Sequence, residues 1–69
     1  MTVYIARFGN RFGQSFISKH DAMLNALGLD ATNKILDNCR GDHDTGYRPI
    51  TRYYAANDHV IGFIERRSI

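Results

Sequence analysis

Cysteine is nearly absent: Cys39 stands alone among 69 residues. No disulfide can form within the chain, and an unpaired thiol suits a reducing compartment, so the expected location is cytoplasmic. Long apolar runs are missing too. The first residues alternate and carry Arg7 where a secretory leader would have an apolar core, and nothing approaches membrane-spanning length. The expectation is a chain with no leader and no membrane partner. There are no repeats, low-complexity tracts or linkers, and no Gly-rich phosphate loop. Strong charge is lacking as well, since nine basic residues against seven acidic ones leave +2.

What is present fits one small domain, residues 1–69. A chain this short buries only about 60% of the surface it exposes when unfolded, so its core is small. Charge is unevenly spread. Residues 1–17 carry Arg7 and Arg11, and residues 47–69 carry Arg48, Arg52, Arg66 and Arg67 against Asp58 and Glu65. Between them, Lys19, Lys34 and Arg40 face Asp21, Asp30, Asp37, Asp42 and Asp44. The ends are basic and the middle acidic. Seven of the nine cations are Arg, the better residue for bidentate contacts to carboxylate or phosphate.

The surest local structure is a hairpin. Ile50–Ala56 is rich in strand-favouring residues, Asn57-Asp58 is a turn pair, and His59–Arg67 carries Val60, Ile61, Phe63 and Ile64. A two-residue turn there sets Tyr54 opposite Ile61, Arg52 opposite Phe63 and Ile50 opposite Glu65. The other face pairs Ala55 with Val60, Tyr53 with Gly62 and Thr51 with Ile64. The Val60 and Ile64 side is the expected core side. Tyr54, Ile61 and Phe63 then form an apolar patch on the other.

Upstream, Thr2–Phe8 alternates with apolar residues on both sides, which predicts an interior strand. Gly9-Asn10 is a turn, and Arg11–Ile17 is a candidate return strand weakened by Gly13. Ser18 is an N-cap with Asp21 three residues on, giving a helix over Lys19–Leu27 with Met23, Leu24 and Leu27 inward and Gly28 as the stop. Asp30 caps a second helix, Ala31–Arg40, with Ala31, Ile35, Leu36 and Cys39 as its apolar set. Gly41–Arg48 is polar and reads as a surface loop. The predicted fold class is α+β: an antiparallel sheet of three or four strands with two short helices packed on one face, in the order β(β)ααββ. The first strand is expected beside the last.

Seven of the eight aromatics fall in these strands, interleaved with Arg. Such surfaces bind proteins or single-stranded nucleic acid. A helix-turn-helix over Lys19–Arg40 fits less well. Lys34 occupies the position that should be apolar, and the second helix is not basic. Asp42-His43-Asp44 offers metal-ligating atoms, but neighbouring loop residues seldom aim at one ion, so no metal is expected. Ser15, Ser18, Cys39 and the histidines form no nucleophile–base motif, so neither an enzyme nor a cofactor is expected.

The reading is a non-enzymatic macromolecule-binding protein, with a small nucleic-acid-binding domain as the alternative. In size and composition, over the whole chain and without a shared motif, it resembles the small accessory and inhibitor proteins of bacteriophages and mobile elements, anti-CRISPR proteins among them. The resemblance implies a protein or protein–nucleic-acid complex as partner, and a monomer or homodimer. The candidate partner-binding residues are Arg52, Tyr54, Ile61, Phe63 and Arg66, with Asp42 and Asp44 as an acidic patch.

Overall fold

The computed structural model describes residues 1–44 and 50–69, with backbone alone at 42–44. Five strands and two helices follow one another as β1 (Thr2–Phe8), β2 (Arg11–Ser15), α1 (Lys19–Leu27), α2 (Leu29–Asn38), β3 (Arg40–Asp44), β4 (Ile50–Tyr54) and β5 (Val60–Ser68). The strands form one antiparallel sheet in the order β2-β1-β5-β4-β3. The α+β class and the pairing of the first strand with the last are as expected. The count of three or four strands is not. Residues 41–44, expected in a loop, belong to edge strand β3, and the rest of that loop, with Arg48, lies outside the described residues. An edge strand pairs through its backbone on one side only, so it tolerates a polar sequence that hides it from hydrophobic pattern reading.

Ser18 caps α1 by accepting the Asp21 N–H at 3.1 Å. Gly28, at φ 84°, both ends α1 and opens α2. Its carbonyl accepts the Thr32 N–H at 3.1 Å, so α2 starts two residues earlier than predicted and Asp30 sits in its first turn. An acidic residue there still complements the helix N-terminus.

The core lies between the helices and one face of the sheet. Ala6 and Phe8 of β1, Tyr53 of β4 and Ile64 of β5 meet Ala22, Met23 and Ala26 of α1, with Tyr4, Leu27, Ile35 and Ile61 at its margin. The buried side of α1 is thus Ala22, Met23 and Ala26, where Met23, Leu24 and Leu27 were expected. Gly13 is the reason. A Cβ there would overlap the Ala22 carbonyl and the Ala26 backbone, so the helix can lie almost against β2 and turns its smallest side chains to it. Gly62 does the same for the Phe8 ring, which packs tilted on Tyr53 with centroids 5.7 Å apart. Arg11 closes the far end of α1 by donating to the Ala26 and Leu27 carbonyls at 3.0 and 3.1 Å.

The C-terminal hairpin keeps the predicted pairs Ile50–Glu65, Thr51–Ile64, Arg52–Phe63 and Tyr53–Gly62. It departs from the prediction at the tip. The Ala55 N–H donates to the His59 carbonyl at 2.9 Å, and Asp58 has a positive φ of 64°. The loop therefore holds Ala56, Asn57 and Asp58, three residues with the last left-handed, a standard three-residue hairpin geometry. Tyr54 then pairs with Val60, and a bulge before Gly62 absorbs the extra residue. Two expectations fall together. Ile61 shifts to the core side, while Val60, expected in the core, is 55% exposed.

Candidate functional site

Side chains directly opposite in an antiparallel pair share a face, so the register sorts the sheet into two surfaces. The core residues fill one, apart from Val3, which is buried on the other face opposite Arg67. The other, left uncovered by either helix among the described residues, is the candidate site.

One row crosses this open face from edge to edge. Phe12 on β2 pairs with Arg7 on β1, which pairs with Phe63 on β5, which pairs with Arg52 on β4. Asp42 of β3 takes the next register position. Ring, cation, ring and cation thus alternate at strand spacing, with a carboxylate position at the end. The Arg7 guanidinium lies over the Phe12 ring, 4.9 Å from its centroid. A second stack stands nearer the hairpin tip, where the Arg40 guanidinium lies 4.7 Å from the Tyr54 centroid. Arg40 also meets Asp58 at 3.6 Å. That pair is exposed and adds little stability, but it ties the edge strand to the turn. A guanidinium stacked on a ring is attracted by the ring quadrupole and keeps its in-plane N–H edges available for carboxylate or phosphate.

The next row mixes polar, apolar and acidic positions: Gln14, Ile5, Glu65, Ile50 and Asp44. Glu65 is 7% exposed. Its Oε1 accepts from Arg67 Nε at 2.7 Å, so the buried carboxylate keeps a charged partner.

Of the predicted site residues, Arg52, Tyr54 and Phe63 stand together on the open face. Asp42 and Asp44 take register positions opposite Arg52 and Ile50 in β3, whereas an acidic loop patch was expected. Ile61 and Arg66 do not belong to this face. Arg66 pairs with Tyr4 on the helix side. There, burial first and the Arg66 charge second push the Lys19 ammonium below its usual range, and Lys19 Nζ donates to Thr51 Oγ1 at 3.0 Å. Arg7 and Phe12 stood only among the interleaved aromatics and arginines of the strands, outside the candidate partner-binding residues, and Arg40 and Glu65 were not singled out. The alternation of Thr2–Phe8 already puts Arg7 with Val3 and Ile5; what it lacks is which strands flank it.

The other candidates have structural roles. The Ser15 hydroxyl accepts from the Ile17 and Ser18 N–H groups at 3.0 and 3.4 Å, and Ser18 is the α1 cap. Cys39 is a half-buried free thiol at the end of α2. Among the described residues no group of three or more His, Cys, Asp or Glu could hold a metal ion, and no helix is long and apolar enough to cross a membrane. No protein-family model matches this chain, and neither the curated proteins nor the solved structures offer a match.

Proposed function

We propose that this chain is a non-enzymatic binding protein that acts by laying the open face of its sheet on a partner protein or protein–nucleic-acid complex, as a small cytoplasmic accessory or inhibitor protein would. The observation that supports it is the row Phe12, Arg7, Phe63, Arg52, a cation–aromatic alternation spanning four strands on a face without a helix. Arg and aromatic residues are the side chains that dominate protein interfaces, because they bury large area and still satisfy their polar atoms.

Direct binding of single-stranded nucleic acid by the same face is the second reading. The same alternation favours it, since bases stack on rings while Arg meets phosphate. Two features weigh against it. The Phe12 and Tyr54 rings already carry a guanidinium, leaving less ring face for a base. Acidic register positions, Asp42 opposite Arg52 and Asp44 opposite Ile50, stand at the β3 edge of this face.

The test is affinity capture from the native host's lysate with the wild-type chain, Arg52→Glu and Tyr54→Ala, analysing bound protein and nucleic acid. Both variants should keep the folded circular-dichroism spectrum and lose the captured protein. Capture retained by both would move the interface off this face. Binding to short oligonucleotides that weakens steeply with salt would favour the second reading.

A further inference from the structure

The sheet's edges are finished differently. At the β2 edge, α1 stands over the strand. A Cβ at Gly13 would overlap the Ala22 carbonyl and the Ala26 backbone, and Asn25 Nδ2 donates to the Gln14 carbonyl at 2.9 Å. A helix laid over an edge keeps other strands away from it. Strand β3, at the opposite edge, has β4 on one side and no described strand on the other.

The backbone groups that β3 turns outward follow from the ladder. The Met1 amino group donates to the Ile69 carbonyl at 2.8 Å, and the Ile69 N–H donates to the Met1 carbonyl at 2.7 Å. Bonded and non-bonded pairs alternate along an antiparallel ladder, so Val3–Arg67, Ile5–Glu65 and Arg7–Phe63 are bonded pairs of β1 and β5. Each residue of an inner strand bonds to one neighbour. Gly62 and Ile64 of β5 therefore bond to β4, and Ile50, Arg52 and Tyr54 of β4 bond to β3. In β3, Arg40, Asp42 and Asp44 are taken by β4, and Gly41 and His43 point their N–H and C=O groups outward. Only a few antiparallel registers join these outward groups to those of another β3. Gly41 against His43 sets Asp42 on Asp42 at the axis. His43 against itself sets Asp42 on Asp44. Gly41 against itself sets Arg40 opposite Asp42 twice, in non-bonded pairs, where side chains come closest. It alone opposes no like charges, and its central residue has no side chain.

We infer that the β3 edge takes the β3 edge of a second copy, antiparallel about Gly41, with Arg40 of each copy set against Asp42 of the other. Across the seam the open face then runs Arg52, Asp42, and Arg40 and Tyr54 of the second copy, so that cations flank the carboxylate. Arg40 stacks on Tyr54 of its own chain and meets Asp58 at 3.6 Å in an exposed pair, and its guanidinium has further N–H edges for a second carboxylate. The contact is isologous and closes at two chains. It uses the edge of the sheet and leaves the open face bare, so it goes beyond the proposed function and does not depend on it. A single strand pair buries little area, so the dimer is weak and forms toward the high end of a concentration range.

The experiment is a mass measurement by sedimentation over a range of concentration, with circular dichroism as the check on folding. The wild type should rise from one chain to two and stop there. Arg40→Asp and Asp42→Arg each oppose like charges at both close pairs and should dimerise roughly tenfold more weakly. Mixed one to one, they set opposite charges at both pairs and should regain the mass of two chains. His43→Pro removes an outward N–H, touches no bond to β4 and leaves every charge in place. It should stay a single chain where the wild type pairs, and it carries the test if a charge variant loses its fold. A wild type that stays a single chain at every concentration, or grows past two, overturns the inference. So does a mixture of the charge variants that stays single, or a His43→Pro variant that pairs as well as wild type.

Discussion

The two faces of this sheet are built on opposite terms. On the helix side, residues are small where backbones approach: Gly13 under Ala22 and Ala26, Gly62 under the Phe8 ring. On the open side, the side chains are long and amphipathic, Arg7, Arg40, Arg52 and Arg67 beside Phe12, Tyr54 and Phe63. The first face gains free energy by excluding water and has no slack, because packed interiors lose contacts or clash with a change of one methylene. The second holds its cations by stacking and ion pairing at the surface, where each contact contributes little. Most of the packing thus lies on the helix side, although Val3 and Glu65 are buried on the open side, and changes at the exposed Arg and aromatic positions should differ in kind from changes in the core.

Gly13→Val carries the largest expected effect. Its side chain would drive into the α1 backbone, which cannot move without uncovering the core. A loss of ~3 kcal/mol for overpacking is a large share of the roughly 3–10 kcal/mol available to a chain this size, so thermal and urea unfolding should show a frayed or absent cooperative transition. A Gly13→Val variant as stable as wild type would contradict the close contact of helix and strand. Ile64→Ala comes next, with a cost of about 3 kcal/mol from lost burial and the cavity left behind, read as a lower urea midpoint. Thr32→Val should act the other way. The Thr32 Oγ1 is buried with no hydrogen-bond partner among the described residues, so an isosteric methyl should stabilise by about 1 kcal/mol.

Alkaline pH gives a finer distinction. Burial raises the Tyr53 phenol above its ordinary value of 10.0. An acid whose folded pKa is raised binds its proton more tightly in the native state. Its contribution is intact below the unfolded value and is lost as pH climbs through and past it. Stability should therefore fall above about pH 10, and Tyr53→Phe should remove part of that fall in urea melts recorded across the range. Lys19 acts with the opposite sign, because its folded pKa is lowered and deprotonation relieves the native state as pH rises. The smallest effect belongs to the open face. Phe12→Ser, at a side chain 50% exposed, should cost about 1 kcal/mol or less, from the covered part of the ring and the Arg7 stack, while weakening partner capture. A large loss of stability there would mean that the open face also serves the core.

Much of the fold was legible along the chain because its signals are local. The Ser18 cap with Asp21 and the Gly28 stop gave α1 its observed bounds. The alternation of Ile50–Tyr54 against Val60–Ser68 carried the register of four pairs and the correct core face. The failures share a cause. Strand β3 lies at an edge and is polar in sequence, so no hydrophobic period announces it. The third loop residue at Ala56–Asp58 and the bulge that absorbs it depend on how the tip closes, and the side occupied by Ile61 follows from that. The candidate site was half legible: Arg52, Tyr54 and Phe63 lie on one hairpin, whereas Arg7, Phe12 and Arg40 come to them from three other strands.

The linear order of residues was enough to set the α+β class, the bounds of α1 and the presence of α2, the C-terminal hairpin and the uneven charge, since each depends on neighbours within a few residues. The open face needed the folded chain. Strand order β2-β1-β5-β4-β3 brings Phe12 beside Arg7, and Arg7 beside Phe63, across gaps of five and fifty-six positions. The first pairing lies within the Gly9-Asn10 turn's reach; the second follows from closing a long loop over a shared core, a free-energy balance of the whole chain that no short window contains.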